Sequence, residues 1–132
     1  LEIARRGGGI HSSVRSLRAT SDDVLYALAV ERIARLIAGG VTTVEVKSGY
    51  GLTVVDELRT LRVIRRLAET MPYRVLATCL GAHEVPLEYR DVAGGRDAWL
   101  AALDEELHPA VAREELATFA DIFCEPGVFT LE

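Results

Sequence analysis

Residues 41 to 52, Val-Thr-Thr-Val-Glu-Val-Lys-Ser-Gly-Tyr-Gly-Leu, join a run rich in β-branched residues to a polar loop that contains two glycines. β-branched residues favour strands, so the first part predicts a strand at residues 41–47. Gly49 and Gly51 stand on either side of Tyr50 and permit the sharp turn that often leads from a strand into a helix. Tyr50 is therefore a candidate for binding a ligand. The simpler interpretation is a tight turn whose tyrosine packs on the rim.

One face of this predicted strand is ionic. Side chains alternate along a strand, which puts Val44 and Val46 on one face and Glu45 and Lys47 on the other. Two opposite charges on one face form either a mutually neutralising buried pair or a pair that supports a functional site. Glu45 and Lys47 are therefore possible supporting residues of a site at the end of the strand.

Two amphipathic helices flank the strand. Ser21, followed by two aspartates, is a typical helix start, and two glycines follow the last apolar position, which predicts a helix at residues 22–38. Thr53, with an aspartate three residues later, resembles a capping box and predicts a helix at residues 54–70. Residues 1–20, which contain three consecutive glycines, are predicted to form a loop.

Two further strands and a third helix follow. Residues 74–80 and 119–124 are predicted strands, and apolar residues at helical spacing predict a helix at residues 96–113. Pro109 cannot donate a backbone hydrogen bond, so we expect a kink or two shorter helices there. Because helices and strands alternate with short connections, the strands should be parallel neighbours in an α/β fold.

The polarity of the strand faces distinguishes two α/β architectures. A strand of a doubly wound open sheet is covered by helices on both faces and should be apolar on both. Here one predicted face is aliphatic and the other carries charged and small residues; the aliphatic face holds Val44, Val46, Leu76, Leu80, Ala120 and Ile122. This asymmetry favours a fragment of a (β/α)8 TIM-type barrel with three parallel strands and flanking helices. Residues 1–132 then form a single partial catalytic-barrel domain, and the open sheet is the alternative.

Composition and charge argue against several classes of protein. The formal net charge of −5 argues against a nucleic-acid-binding face, which needs clustered lysine and arginine with few acids among them. No apolar run approaches the roughly 20 residues of a membrane-spanning helix, and the chain shows no signal-like beginning, so we expect a cytoplasmic protein. Cys79 and Cys124 stand in predicted strands and form no Cys-x-x-Cys pair, which predicts small buried residues in a reducing compartment.

The carboxyl ends of parallel strands share one edge of a sheet, and in barrels that edge holds the functional site. Here this edge collects Lys47, Tyr50, His83 and Glu125, of which Glu125 is another possible supporting residue. His83 is a general acid or base, a substrate contact or a metal ligand, and a lone histidine favours the substrate contact. The three histidines of the chain show no His-x-His spacing, so we predict no metal site within it.

Four segments of the sequence together resemble one enzyme family. They are Val-Glu-Val-Lys-Ser-Gly-Tyr-Gly-Leu at residues 44–52, Leu-Gly-Ala-His-Glu-Val-Pro at 80–86, Gly-Gly-Gly-Ile at 7–10 and Phe-Cys-Glu at 123–125. The chain is similar in these motifs, over essentially its whole length, to the imidazolonepropionases of the amidohydrolase superfamily. The resemblance implies a metal-dependent barrel, considerably longer than this chain, that hydrolyses the ring amide of 4-imidazolone-5-propanoate to N-formimidoyl-L-glutamate in histidine degradation.

The resemblance also implies roles for individual residues. It carries substrate binding onto Tyr50 and His83, and it implies zinc or iron in the full-length enzyme, held by residues outside this chain. We therefore expect no bound metal in this fragment and no activity from it alone. The implied partners are a small-molecule substrate and, for the full-length enzyme, a second copy in a homodimer, with neither nucleic acid nor a membrane.

Two alternatives stay open at this stage. One is another amidohydrolase, either a cyclic amidine hydrolase or a deaminase, which turnover of guanine or cytosine would identify. The other is a non-catalytic open α/β domain that binds a ligand. A His-x-His encoded shortly before Leu1 would favour the hydrolase, and a start codon at that place would favour the small domain.

Overall fold

The computed structural model describes residues 9–125 and 128–130, which form a three-stranded sheet with helices between its strands. The elements in chain order are α1 (Ile10–Ala19), α2 (Asp22–Ala38), β1 (Thr43–Lys47), α3 (Val54–Thr70), β2 (Arg74–Ala82), α4 (Leu87–Arg90), α5 (Gly95–Ala102), a π-helical segment (Leu103–Leu107), α6 (His108–Arg113) and β3 (Phe119–Ile122).

The sheet is covered by helices on one face. Its strands are parallel and lie in the order β1, β2, β3, so each strand neighbours the next along the chain. Helix α3 and the π segment pack against β2 and against each other, which puts both crossovers on the same face. On the opposite face the side chains of Lys47 and Asp121 are 40% and 46% exposed. The predicted fold class, a fragment of a (β/α)8 TIM-type barrel, is confirmed by this arrangement.

The strand register corrects the predicted faces of β2. Val44 pairs with Val75, so the helix-covered face continues from β1 into Val75 and, two residues at a time, into Cys79. The assignment of Leu76 and Leu80 to the aliphatic face was wrong, because both lie on the face of the ionic residues of β1. The sequence does not show this, since the register between two strands is set by their pairing and not by either strand alone.

A helix occupies half of the predicted N-terminal loop. In α1, Ile10, Val14 and Leu17 recur at helical spacing, and Val14 is buried. The loop prediction for residues 1–20 was therefore wrong for residues 10–19, because packing of this short apolar stripe stabilises a helix despite the preceding glycines. Residues 1–8, with most of the glycine-rich start, lie outside the described residues.

The predicted helix at residues 96–113 is divided just before its proline. In the π segment the backbone N–H of His108 donates to the carbonyl of Leu103, five residues back. Pro109 has no N–H for a carbonyl in the preceding turn, so the regular α-helical pattern cannot continue through it. The wider π turn changes the hydrogen-bond pattern at this point, and α6 begins with the proline in its first turn.

The strand ends differ from the predicted ones by two residues. β1 begins two residues after the predicted start, β2 continues to Ala82, and β3 ends at Ile122, which pairs with Ala82. Cys124 consequently lies beyond the strand and is exposed, whereas Cys79 in β2 is buried. The prediction of a buried cysteine is confirmed for Cys79 and was wrong for Cys124.

The core fills the space between the sheet and the covering helices. Leu61, Ile64 and Leu67 of α3 recur at helical spacing and are at most 3% exposed. They share the core with Val75 and Cys79 of β2, and the other buried members are Ile33, Ala82, Val85, Trp99, Leu103, Leu107, Val111, Leu116 and Phe129. Burial of these side chains from water supplies the main driving force for packing the helices on the sheet.

Gly81 marks the closest approach of β2 to the helix layer. A Cβ atom at this position would lie 2.7 Å from Cδ2 of Leu103 and 2.7 Å from Cδ2 of Leu107. Both leucines are buried and have little room to move, so Gly81→Ala should lower the free energy of unfolding by about 1–3 kcal/mol. Urea unfolding of the full-length protein measures this loss. Ala98→Ser, on the exposed side of α5, should change it little, and an unchanged midpoint for Gly81→Ala would contradict the close packing.

Candidate functional site

Three rings meet at the carboxyl edge of the sheet. Tyr50 follows β1, His83 follows β2 and Phe123 follows β3. The ring centroids of Tyr50 and His83 are 4.9 Å apart and those of His83 and Phe123 are 5.7 Å apart, with an interplanar angle of 80° in each pair. Edge-to-face contacts of this kind are favourable. The parallel strand order thus brings Tyr50 and His83 together, and it adds Phe123, which the sequence analysis did not name as a site residue.

A backbone carbonyl fixes the orientation of the His83 ring. Nδ1 of His83 lies 2.8 Å from the carbonyl oxygen of Gly49. A carbonyl oxygen only accepts, so Nδ1 must carry a hydrogen and donate it. In the neutral imidazole Nε2 is then unprotonated and accepts hydrogen bonds. The site therefore offers a ring nitrogen with a defined acceptor role beside the Tyr50 phenol, which both donates and accepts.

Gly49 cannot be replaced without moving this carbonyl. Its φ is +103°, in the region that favours glycine, and a Cβ would lie 2.7 Å from the carbonyl oxygen of Leu80 and 3.1 Å from Cβ of His83. The glycine lets the loop after β1 pass directly over the end of β2. This close approach is what places the Gly49 carbonyl within reach of His83.

A buried carboxylate holds the loop that carries Tyr50. Glu57, in the first turn of α3, is 0% exposed, and its side chain accepts three backbone hydrogen bonds from the loop. Oε2 accepts from the N–H of Gly49 at 2.7 Å, and Oε1 accepts from those of Gly51 and Leu52 at 2.8 and 2.9 Å. Sequence reasoning missed Glu57. A carboxylate in the first turn of a helix is common, because the positive end of the helix dipole stabilises its negative charge. The sequence position of Glu57 therefore did not distinguish it.

Arg18 binds the same loop through its carbonyl groups. Its guanidinium donates to the carbonyls of Gly51 and Leu52 at 2.7 and 2.9 Å and to the carboxylate of Glu88 at 2.6 Å. Burial raises the pKa of Glu88, but the hydrogen bond and charge of Arg18, together with a backbone hydrogen bond and the nearby His11, outweigh burial and leave that pKa below its ordinary value. Arg18 therefore links α1, the loop after β1 and α4, the helix that follows His83. Arg18 lies in a helix, and the sequence analysis did not indicate this role because it assigned residues 1–20 to a loop.

The root of the Tyr50 loop is held by Ser48. The N–H of Ser48 donates to the carbonyl of Thr78 at 3.0 Å, and its hydroxyl accepts from the N–H of Leu80 at 3.0 Å. Ser48 is 1% exposed, so these bonds are shielded from water. They continue the pairing of β1 with β2 by one residue beyond the strand, and they bring the loop onto the end of β2.

The ionic residues of β1 form a network across the sheet. Nζ of Lys47 lies 2.7 Å from Oδ2 of Asp121 in β3 and 3.6 Å from Oε1 of Glu45. Glu45 in turn accepts a hydrogen bond of 2.6 Å from the hydroxyl of Thr78 in β2. Lys47 and Glu45 are therefore not an isolated pair, since all three strands contribute to the network. It lies on the face without helices, below the three rings.

Comparison with curated proteins identifies the family. Over 98% of its length the chain is 55% identical to an imidazolonepropionase of Aeromonas salmonicida (strain A449), and over 94% it is 55% identical to one of Ectopseudomonas mendocina (strain ymp). Over its full length it is 47% identical to the imidazolonepropionase of Brevibacillus brevis. The chain matches a segment of the imidazolonepropionase family. It spans 30–31% of the length of these relatives, and no family model matches it.

Glu125 does not join the three-strand network. It lies three residues beyond β3, is exposed, and its carbonyl accepts from the N–H of Val128 at 3.0 Å. Within the described ranges, 9–125 and 128–130, its carboxylate forms no ion pair. Its supporting role stays a prediction, and the residue of β3 that joins the network is Asp121.

The described residues contain no set of ligands for a metal ion. No group of three or more histidine, cysteine, aspartate or glutamate side chains within them is close enough together to hold a metal ion. His83 forms a hydrogen bond to a backbone carbonyl through one nitrogen, and its ring lies between two other rings.

Among the helices of the described part of the chain, none has the length and apolar character needed to cross a membrane.

The pair formed by Lys47 and Asp121 predicts a pH dependence of stability. The hydrogen bond from Lys47 lowers the pKa of Asp121 from 3.8, so its contribution is present above 3.8 and is lost as the pH falls through the folded value. The hydrogen bond to Asp121 raises the pKa of Lys47 from 10.5, so that contribution is present below 10.5 and is lost as the pH rises through the folded value. The pair therefore stabilises the fold from ~pH 4 to ~pH 10.

Asp121→Asn in the full-length protein should lower the free energy of unfolding slightly at pH 7. The loss should shrink as the pH falls below 3.8 and also as salt is added, because ions screen the half-exposed pair. Urea unfolding at several pH values and ionic strengths measures both dependences. Asp104→Asn, an exposed aspartate in the π segment, is the matched control. A loss that is the same at every pH would rule out the ion pair as its cause.

Proposed function

We propose that the full-length protein hydrolyses the ring amide of 4-imidazolone-5-propanoate to N-formimidoyl-L-glutamate in histidine degradation. The observation that carries the proposal is the meeting of Tyr50 and His83 at 4.9 Å, at the carboxyl edge of a barrel fragment. Identity of 47–55% to imidazolonepropionases over nearly the whole chain supports it. In this proposal the segment contributes substrate-binding residues to a longer barrel.

The chemistry of Tyr50 and His83 suits a small, polar, planar substrate. The imidazolone ring carries an N–H group that donates and a carbonyl group that accepts hydrogen bonds. Nε2 of neutral His83 accepts, and the Tyr50 hydroxyl donates or accepts, so together they match both kinds of group. Two such contacts restrain the ring in position and orientation, which raises the effective concentration of the reacting groups.

The remaining parts of the proposal concern the full-length enzyme. A zinc or iron ion would polarise the ring carbonyl and supply a hydroxide nucleophile near neutral pH. The described residues of this chain include no group of three or more side chains that could hold it, so their proposed part is to bind and orient the substrate. The proposal also includes a cytoplasmic homodimer that acts on a small molecule, without nucleic acid or a membrane.

Turnover by the full-length enzyme distinguishes this proposal from the other amidohydrolase activities. The expected result is hydrolysis of 4-imidazolone-5-propanoate, followed by loss of the imidazolone absorbance, with no turnover of guanine or cytosine. Deamination of either base without hydrolysis of the imidazolone would contradict the proposed function and show that the enzyme is a deaminase. Absence of turnover on all three by the metal-loaded enzyme would favour a ligand-binding role.

Tyr50→Phe and His83→Ala test the two substrate contacts. Tyr50→Phe removes one hydrogen bond and should lower kcat/KM about tenfold, and His83→Ala, which also removes a ring, should lower it about 100-fold. Metal analysis should find both variants with the same metal content as the wild type. Loss of metal from His83→Ala would contradict its assignment to the substrate.

Each variant has a matched control within the chain. Tyr73 stands just before β2, at the opposite edge of the sheet, and His108 is exposed at the start of α6. Tyr73→Phe and His108→Ala should leave kcat/KM within about twofold of the wild type, because surface changes away from the site have small effects. Equal losses in a control and its partner would show that the site substitution acts through general destabilisation.

A further inference from the structure

The three hydrogen bonds of Glu57 all lead to one loop. Its carboxylate is fully buried, and an ionised group in that position is tolerated only if it is well hydrogen-bonded. Gly49, Gly51 and Leu52 supply its hydrogen bonds, and these residues surround Tyr50. A glutamate needed only for the helix dipole would not require this set of partners. The geometry therefore connects Glu57 with the position of Tyr50.

Gly49 connects Glu57 with His83 as well. Its N–H donates to Oε2 of Glu57 at 2.7 Å, and its carbonyl accepts from Nδ1 of His83 at 2.8 Å. Glycines on both sides of Tyr50 leave this backbone with little conformational restraint of its own. Without the carboxylate, the Gly49 N–H would be buried and unpaired in its present position, so the loop would shift and its carbonyl would turn away from His83.

We propose that Glu57 is a positioning residue for the substrate-binding pair. Its carboxylate holds the backbone of residues 49–52 so that Gly49 keeps His83 in the Nδ1–H tautomer and Tyr50 stays against the imidazole. Nε2 of His83 then accepts a hydrogen bond from a ring N–H of the substrate. This role rests on the proposed function for its catalytic effect, but the tautomer and the loop position do not depend on the substrate.

Glu57→Gln is the sharpest substitution for this role. The glutamine oxygen can still accept from Gly51 and Leu52, while its NH₂ group faces the N–H of Gly49 and cannot accept. The substitution thus breaks the hydrogen bond from Gly49, which is the residue that contacts His83, and keeps those from Gly51 and Leu52. In the full-length enzyme, kcat/KM should fall about tenfold or more with metal content unchanged. Glu69→Gln makes the same chemical change on an exposed position of α3 and should have no effect.

A second measurement reports on His83 directly. Nitrogen NMR of the full-length enzyme labelled with ¹⁵N-histidine distinguishes the two neutral tautomers, and loss of a signal in His83→Gln assigns it. The wild type should show His83 protonated at Nδ1, and Glu57→Gln should show a mixture of tautomers. If the wild type is protonated at Nε2, the proposal is overturned, even where Glu57→Gln fails to fold.

The two measurements separate this proposal from the proposed function. A change of the His83 signal in Glu57→Gln, in an enzyme that does not hydrolyse the imidazolone, would support the positioning role and refute the function. Normal hydrolysis by the wild type, with kcat/KM and the His83 signal unaltered in Glu57→Gln, would support the function and refute the positioning role.

Discussion

The buried carboxylate of Glu57 is the interaction on which the geometry of the site depends. The loop after β1 turns sharply from the sheet into α3, so several of its backbone N–H groups cannot join the strand or the helix. Glu57 accepts three of them, and Arg18 occupies two of the carbonyls on the same loop. A buried backbone needs all of its polar groups paired. These two side chains meet that need and fix the loop in one conformation.

The fold assembles the site from short pieces that are distant in the chain. β1 and β2 are parallel, so Ser48 and His83 come to the same edge, and the Tyr50 loop crosses above the end of β2. His83 is oriented by a carbonyl from the other loop and not by its own strand. The site is therefore held by backbone contacts, and these contacts position the side chains that are proposed to bind the substrate.

The face of the sheet without helices, called here the inner face, carries two kinds of side chain. Lys47, Glu45, Thr78 and Asp121 form a polar network across the three strands, while Leu76 and Leu80 bring aliphatic surface to the same face. The network ties β1 to β3 across the intervening strand. Its three charged side chains are half-exposed in this chain, so their mutual attraction is weakened by water and salt. The inner face is accordingly more mixed than alternation along β1 alone suggests.

What the sequence determined by itself was local or repetitive. Capping residues and apolar spacing predicted the helices at residues 22–38 and 54–70, and the alternation of helices and strands predicted parallel strands with Tyr50 and His83 at one edge. Tertiary structure alone decided the strand register, the partner of Lys47, the contact with Phe123 and the roles of Glu57 and Arg18. The physical reason is that capping and periodicity act between residues a few positions apart. Strand pairing and buried hydrogen bonds join groups whose positions in the sequence do not indicate that they are in contact.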